Sequence, residues 1–174
     1  MRIIEMYHNR PFVFSIEVFP PKTEDGMTNL QKKLIAFSAF KPDYISVTYG
    51  AGGGTRQNTQ YLAGFIGNEL GIEVLAHLTC VSHTRKDVSL LKEQFLSEGV
   101  ENIMALRGDP PTADKTFEPM PGGYRYASEL IEDLSRDRRF GIGAAGYPET
   151  HIDAISSQMD RYFLKQKTER GAEF

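Results

Sequence analysis

The stretch Val13-Phe14-Ser15-Ile16-Glu17-Val18-Phe19-Pro20-Pro21 is apolar except for one serine and one acid, and it ends at two prolines. It predicts a buried strand over residues 12–18, because proline cannot donate a hydrogen bond to a sheet and so ends the strand. Glu17 lies near the carboxyl end of that strand. Burying a carboxylate among Ile, Val and Phe is costly unless it is paired or protonated. We therefore predict that Glu17 is a buried acid; the alternative is an outward Glu17 on an edge strand.

Composition limits the class of protein. The 174 residues include 20 basic and 23 acidic side chains and carry a net charge of −3, which does not indicate nucleic-acid or membrane-surface binding. The single cysteine, Cys80, excludes an internal disulfide and is typical of a reducing compartment. No apolar run approaches the roughly 20 residues that span a bilayer, and the N-terminus lacks a signal-peptide pattern. We therefore predict one cytoplasmic domain over residues 1–174.

Strand and helix patterns alternate five times along the chain. Strict alternation predicts a parallel sheet with right-handed crossovers. Thr84, with Asp87 three residues on, predicts a capping box, and Thr55 is a second predicted N-cap. The last helix is expected to turn Ile152, Ile155, Met159 and Phe163 inward. The predicted strands are 12–18, 44–49, 73–79, 102–106 and 141–147, and the helices are 24–39, Thr55 to Gly71, Thr84 to Gly99, 126–136 and 151–170.

Two architectures fit this alternation, a doubly wound sheet and a β/α barrel. The first strand leads into Pro20-Pro21 and not into a glycine-rich dinucleotide turn, which argues against the doubly wound fold. Polar residues follow all five strands, as at the catalytic face of a β/α barrel. These residues are Glu17, Thr48, His77, Arg107 to Asp109 and Tyr147.

The chain is too short for a complete barrel, which needs eight units and about 250 residues. Residues 171–174 resemble the start of a sixth strand. An open sheet of five units would leave its last strand unpaired and its inner face wet. We therefore predict an α/β fold of the TIM type, an incomplete β/α barrel of about five units without the sixth to eighth. Such a chain is a fragment or completes itself by association through its open edge.

The residues at the strand ends suggest acid and anion chemistry. Glu17 is the best candidate general acid. Arg107 and Asp109 flank Gly108 and suit an anionic or ring ligand, or else form a surface ion pair in a turn. The glycine-rich loop 50–54 before a helix is a candidate phosphate cradle, although such loops are common.

Several other polar residues allow more than one interpretation. His77, Cys80 and His83 supply at most three zinc ligands, and strand alternation separates His77 from Cys80, so a hydrogen-bonding His77 facing a ligand is favoured over a metal site. His151 follows the fifth strand and could contact a ligand or cap a helix. Asp160 and Lys167 fit a solvated helix face.

Five segments resemble methylenetetrahydrofolate reductase of the bacterial type, in the family's order and spacing. They cover nearly the whole chain. The segments are Phe14 to Lys22, Ser46 to Gly50, His77 to Cys80, Ala105 to Asp109 and Tyr147 to His151.

The resemblance implies a β8α8 barrel that holds FAD, takes a hydride from NAD(P)H and reduces 5,10-methylenetetrahydrofolate to 5-methyltetrahydrofolate. Glu17 matches the family's acid, which assists opening of the five-membered ring to the 5-iminium cation. Asp109 matches the aspartate that lies by the flavin, binds the pterin and stabilises that cation. The flavin-contacting positions, Asp109 among them, align with Thr48, Tyr49, Ala51, His77, Arg107, Gly108, Ala127, Tyr147, His151, Asp160 and Lys167.

Some parts of the family pattern are missing. Its folate-contacting glutamine on the sixth strand, and a later tyrosine and arginine, would lie beyond Phe174. Phe163 and Gln166 stand where many relatives carry polar or basic flavin contacts. We therefore expect the 174-residue chain to be a poor catalyst or inactive. The resemblance implies a homo-oligomer. The alternatives are a non-catalytic flavin- or folate-binding half-barrel that needs a partner, and another flavin barrel oxidoreductase of the proline-dehydrogenase kind.

Overall fold

A parallel sheet of five strands forms the centre of the computed structural model, which describes residues 1–50, 56–109 and 117–174. The strands are β1 (Ser15–Val18), β2 (Tyr44–Val47), β3 (Glu73–Thr79), β4 (Asn102–Leu106) and β5 (Gly141–Ala144). They pair in chain order, each with the strand before it, which confirms the predicted parallel sheet. A doubly wound sheet reverses its order at a switch point, whereas a barrel adds strands consecutively. Within the described residues, the order is that of a β/α barrel.

Six α-helices accompany the sheet in the described part of the chain. The helix α3 continues as a π-helical turn at Phe65–Glu69, and a 3₁₀ turn at Ser38–Phe40 follows α2. No helix among the described residues is long and apolar enough to cross a membrane. The helices are α1 (Ile3–Asn9), α2 (Glu24–Phe37), α3 (Arg56–Gly64), α4 (Arg85–Ser97), α5 (Ala127–Ser135) and α6 (Ser157–Glu169).

The two faces of the sheet have different surroundings. Alternate residues such as Ile45, Ala76 and Ile103 pack into the main core together with apolar side chains of the helices. The other face, here called the inner face, carries the residues between them. Those residues are Ser15, Glu17, Tyr44, Ser46, Glu73, Leu75, His77, Thr79, Asn102, Met104, Leu106, Gly141 and Gly143.

The first helix, α1, is an element that the sequence patterns did not predict. Its Ile3 and Met6 are buried against Tyr44 and Leu75, so α1 covers the inner face near the amino ends of the strands. The helix has only seven residues, and its N-cap Arg2 makes no side-chain capping hydrogen bond. A helix this short depends on tertiary packing rather than on propensity, and so it leaves a weak local signal.

Three predicted strands are shorter in the structure, whereas β3 and β4 have the predicted bounds. The strand β1 begins at Ser15, because its parallel partner β2 begins at Tyr44 and the two residues are paired. Phe12 is therefore 75% exposed. The strands β2 and β5 end before Tyr49 and Tyr147, so neither tyrosine is a strand residue.

The last helix is the main error of the sequence prediction. It begins at Ser157, not at His151, because Ser156 caps it by accepting a hydrogen bond from the Met159 N–H at 3.2 Å. The expected inward residues are exposed: Ile152 is 94% and Ile155 is 91% accessible, and Met159 and Phe163 are exposed as well. Apolar residues at helical spacing usually form the buried face of a helix. Here α6 packs against α5, and these apolar residues stay exposed.

The predicted capping box of α4 is confirmed. The Asp87 N–H donates to Thr84 Oγ1 at 3.2 Å, and the Thr84 N–H donates to Asp87 Oδ2 at 2.9 Å. The other predicted cap, Thr55, lies outside the described residues.

Residues 173–174 continue the sheet as the sequence suggested. The Glu173 N–H donates to the Ile142 carbonyl at 2.8 Å, and the Ala144 N–H donates to the Phe174 carbonyl at 2.9 Å. These two bonds attach residues 173–174 to the free edge of β5.

A buried asparagine ties the first helix to the sheet. The Ile3 N–H donates to Asn102 Oδ1 at 2.9 Å, and Asn102 Nδ2 donates to the Met1 carbonyl and to Glu73. The side chain of Asn102 is fully buried. Buried polar groups must be hydrogen-bonded, so this side chain fixes where α1 docks.

Asn102→Ala is expected to lower the free energy of unfolding by about 1–3 kcal/mol, because the buried Ile3 N–H loses its acceptor. Urea denaturation followed by circular dichroism measures the change. Asn68→Ala is the matched control, since the exposed Asn68 makes only a long 3.4 Å bond to the Glu98 carbonyl. Equal losses in the two variants would contradict the docking role of Asn102.

Candidate functional site

Three polar side chains from three neighbouring strands meet on the inner face. Ser46 Oγ lies 2.7 Å from His77 Nε2 and 3.4 Å from Glu17 Oε2. His77 Nε2 and Glu17 Oε2 are 3.5 Å apart. Glu17 and Ser46 are direct partners in the pairing of β1 with β2, and His77 lies on β3. Parallel pairing thus brings together two predicted site residues, Glu17 and His77, around a third that was not predicted.

The expectation that Glu17 is buried is wrong. Half of its side-chain surface is accessible, because β1 is an edge strand of the sheet in the described residues. The alternative was an outward Glu17 on an edge strand. The edge position is correct, but the carboxylate lies on the inner face beside Ser46 and His77. A ligand at the inner face could therefore reach this carboxylate.

His77 is held in its neutral form. Its side chain is buried, and desolvation lowers its pKa, while the negative charge of Glu17 acts in the opposite direction with a smaller effect. Burial disfavours the charged imidazolium, so a neutral ring with one N–H faces Ser46 at neutral pH.

Ser46 is the residue that sequence reasoning missed. It lies in the apolar stretch Tyr44–Val47, where one serine carries no local signal. The position of Ser46 follows from how β1 and β2 pair. Side chains alternate between the two faces of a strand, and because Ser46 pairs with Glu17 it lies on the same face.

The predicted zinc candidates do not converge. Cys80 packs into the main core on the opposite face of the sheet from His77, and burial raises the pKa of its thiol to about 12. His83 is bonded to the Tyr49 hydroxyl at 3.0 Å and to the Val81 carbonyl at 2.7 Å. Across the ranges that the structure describes, no group of three or more His, Cys, Asp or Glu side chains could hold a metal ion.

The backbone of Thr48 and the side chain of Tyr49, after β2, are engaged within the protein. Tyr49 is buried in the main core. The Thr48 N–H donates to the Val18 carbonyl at 3.0 Å, and the Thr48 carbonyl accepts from Thr59 Oγ1 at 3.1 Å. Ala51 and the glycine-rich loop beyond Gly50 lie outside the described residues, so the phosphate cradle stays a prediction.

The turn after β4 requires a glycine. Gly108 has φ +80°, and a Cβ there would lie 2.9 Å from Thr79 Cβ and 3.0 Å from Val81 Cγ2. Gly108 lets the chain pass close to β3, with the half-buried Arg107 and the exposed Asp109 on either side. The Arg107 guanidinium lies 5.6 Å from the centre of the Phe117 ring, a cation–π distance.

The four predicted residues after β5 either lie in the loop that follows this strand or bond to it. The rings of Tyr147 and His151 pack edge to face, with 4.6 Å between the ring centres. The His151 N–H donates to Asp160 Oδ2 at 3.1 Å, and Lys167 Nζ donates to the Ala145 carbonyl at 2.7 Å. Burial lowers the pKa of Lys167, and Asp160 partly opposes this effect. The solvated-face interpretation of Asp160 and Lys167 is wrong, because both bond back to the loop that follows β5.

Ala127 is the first residue of α5, and its side chain is buried. Only its backbone, at the amino end of the helix, could contact a ligand.

A sequence model described as methylenetetrahydrofolate reductase matches residues 2–174. Methylenetetrahydrofolate reductase (NADH) 1 of Arabidopsis thaliana is 37% identical over 171 residues, covering 92% of this chain and 29% of the relative. The 5,10-methylenetetrahydrofolate reductase of Escherichia coli strain K12 is 36% identical over 158 residues, covering 91% of this chain and 51% of the relative. The chain thus spans about half the length of that bacterial relative.

Comparison with solved structures supports the fold. The chain is similar to 2,3-dimethylmalate lyase, a PEP mutase/isocitrate lyase superfamily member, with a TM-score of 0.61 and 14% identity. The match covers 98% of this chain and 58% of the lyase. At this identity the likeness shows an α/β fold of the TIM-barrel type and nothing about activity.

Gly108→Ala is expected to destabilise the fold more than Gly122→Ala, as urea denaturation can measure. Both glycines have a positive φ, but a Cβ at Gly122 would meet nothing within 4 Å. The free energy of unfolding of the Gly122 variant should fall by about 1–2 kcal/mol, which is the cost of holding an L-residue in the left-handed backbone conformation. The Gly108 variant should lose a further amount of about 1–3 kcal/mol from overpacking against Thr79. Equal losses would contradict the close approach.

Proposed function

The chain belongs to the methylenetetrahydrofolate reductase family, and we propose that it is the flavin-binding N-terminal part of an enzyme that reduces 5,10-methylenetetrahydrofolate to 5-methyltetrahydrofolate. We propose NAD(P)H as the electron donor, a cytoplasmic location and one partial-barrel domain over residues 1–174. The observation that carries this proposal is the accessible carboxylate of Glu17, held beside Ser46 and His77 on the inner face.

Glu17 is the proposed general acid. Opening the five-membered ring of the folate requires a proton on its leaving nitrogen, and a half-exposed carboxyl group on the inner face can be reached by a ligand. Asp109 is exposed on the turn after β4. We propose that its negative charge stabilises the cationic iminium form of the substrate.

The residues present fit a flavin nucleotide. Gly108 lets the turn after β4 pack closely against Thr79, and this places Arg107 and Asp109 at the carboxyl end of β4. Lys167 and Arg107 supply cationic donors suited to phosphate, and Tyr147 and His151 offer aromatic rings. When bound, FAD would supply the hydride transfer between the nicotinamide and the folate. The proposed holding residues are Thr48, Tyr49, Ala51, His77, Arg107, Gly108, Asp109, Ala127, Tyr147, His151, Asp160 and Lys167.

A second candidate function is a half-barrel that binds flavin or folate without turnover until a partner completes it. The exposed apolar residues Ile152 and Ile155, and the single pairing of residues 173–174 on β5, favour this candidate. The partner could be a second copy, since an open sheet edge is a template for pairing.

FAD binding and the two lysines of α6 test the cofactor proposal. Lys167→Met should raise the Kd for FAD about tenfold, which corresponds to about 1.4 kcal/mol, because it removes a half-buried cation. Lys165→Met is the matched control, since Lys165 is exposed and pairs only with Glu169 on the same helix. Quenching of flavin fluorescence measures the Kd, and circular dichroism checks the fold. No FAD binding by the unmodified chain would overturn the proposal, and equal Kd values in the two variants would remove Lys167 from the site.

Turnover tests whether the 174-residue chain is active by itself. We expect the 174-residue chain with added FAD to show little or no NAD(P)H-dependent conversion of methylenetetrahydrofolate, because the chain spans 51% of the bacterial relative. Product formation is measured by chromatography. Full turnover would contradict this expectation and favour the complete reductase activity. Flavin binding without turnover is the result that both candidate functions predict for this chain.

A further inference from the structure

One hydroxyl group on the inner face lies between two other polar groups. Ser46 Oγ is 2.7 Å from His77 Nε2 and 3.4 Å from Glu17 Oε2, and these two atoms are 3.5 Å from each other. A serine hydroxyl has one proton to donate and can accept at the same time. The direction in which Ser46 donates therefore depends on which neighbour carries a proton.

When Glu17 is ionised, the number of protons that the three groups can donate favours one direction for their hydrogen bonds. A carboxylate can only accept, so the Ser46 O–H donates to Glu17 and its oxygen must accept from His77. This requires the His77 proton to be on Nε2. With the proton on Nδ1, two acceptors would face each other at 3.5 Å and share a single hydroxyl proton.

The arrangement reverses when the carboxylate is replaced by a protonated acid or by a group that cannot accept. The Ser46 hydroxyl then donates to His77 Nε2, and the neutral imidazole carries its proton on Nδ1. His77 stays neutral in both arrangements because burial disfavours its charged form. The two arrangements differ in which ring nitrogen bears the proton, and the ring is neutral in both.

We propose that Ser46 is a positioning residue that holds the Glu17 carboxylate on the inner face and couples the proton of Glu17 to the tautomer of His77. The importance of this coupling for catalysis rests on the proposed role of Glu17 as the acid. When Glu17 gives up its proton, the Ser46 hydroxyl turns to donate to the new carboxylate and stabilises it. The His77 ring releases its Nδ1 proton to water, takes a proton from water at Nε2 and donates it in a hydrogen bond to Ser46.

Other charged groups near the trio have partners of their own. On the inner faces of β2 and β3, the remaining titratable residues are Tyr44 and Glu73. The Tyr44 hydroxyl is bonded to Tyr7 at 2.9 Å, and Glu73 accepts from the Met1 amino group at 2.7 Å. The inner face of β4 carries Asn102, Met104 and Leu106, none of which titrates. Within the described part of these strands, Glu17 is the acid that can set the tautomer of His77.

Nitrogen-15 NMR of the chain labelled at histidine tests the coupling, because the shifts of Nδ1 and Nε2 identify the tautomer of each of the four histidines. In the unmodified chain at neutral pH, His77 should be the Nε2–H tautomer. Glu17→Leu removes the acceptor and should shift His77 towards the Nδ1–H tautomer. A predominant Nδ1–H form in the unmodified chain while Glu17 is ionised would overturn the proposal without any variant.

The role of Ser46 itself is measured by repeating the Glu17→Leu change in a Ser46→Ala background. The tautomer shift should then be at least several-fold smaller, whereas Ser46→Thr, which keeps a hydroxyl, should restore it. Ser15→Ala is the matched control, since Ser15 lies on the same face of β1 and should leave the shift intact. An undiminished shift without the Ser46 hydroxyl would overturn the proposal. These spectra need neither flavin nor folate, so they can fail or succeed independently of the FAD and turnover assays.

Discussion

The structure depends on one geometric constraint: five parallel strands, paired in chain order, direct all of their carboxyl ends to one edge. Period-two alternation then assigns every second side chain to the helix-covered core and leaves the others on the inner face. Glu17 and Ser46 meet because they are paired residues on adjacent strands, and His77 joins them from β3. Residues 60 positions apart in the chain thus form one polar group without any specialised loop.

The inner face is divided along its length into a part that α1 covers and a part that is accessible. Towards the amino ends, α1 covers Tyr44 and Leu75, and Asn102 satisfies the backbone that this helix would otherwise leave unpaired. Towards the carboxyl ends, Glu17 remains half accessible and His77 is buried but hydrogen-bonded. A buried polar group without a hydrogen-bond partner costs about 1–3 kcal/mol. The bond of Asn102 to Ile3 at one end and that of Ser46 to His77 at the other avoid this cost. Because α1 closes the amino end, Glu17 is accessible from the carboxyl end.

The sequence was most informative where local chemistry decides structure, and least where tertiary contacts do. The bounds of β3 and β4 and the capping box at Thr84 follow from strand pattern and cap chemistry, and the structure confirms them. The short helix α1 could not be predicted because packing stabilises it. Glu17 was expected to be buried because its neighbours in sequence are apolar, but accessibility depends on β1 being an edge strand. Ser46 required knowledge of the strand register.

The exposed apolar residues of the loop before α6 show that helical spacing in a sequence does not by itself predict burial. Ile152 and Ile155 are more than nine-tenths accessible, although their spacing in the sequence is that of a buried helical face. A pattern encodes a surface to be covered and does not identify what covers it. Here the same region holds Tyr147, His151 and Lys167, and residues 173–174 extend the edge of β5 beside it. The apolar loop and these polar residues all belong to the chain segment between β5 and residues 173–174, so the apolar period there marks a surface that the packing of α6 against α5 leaves open.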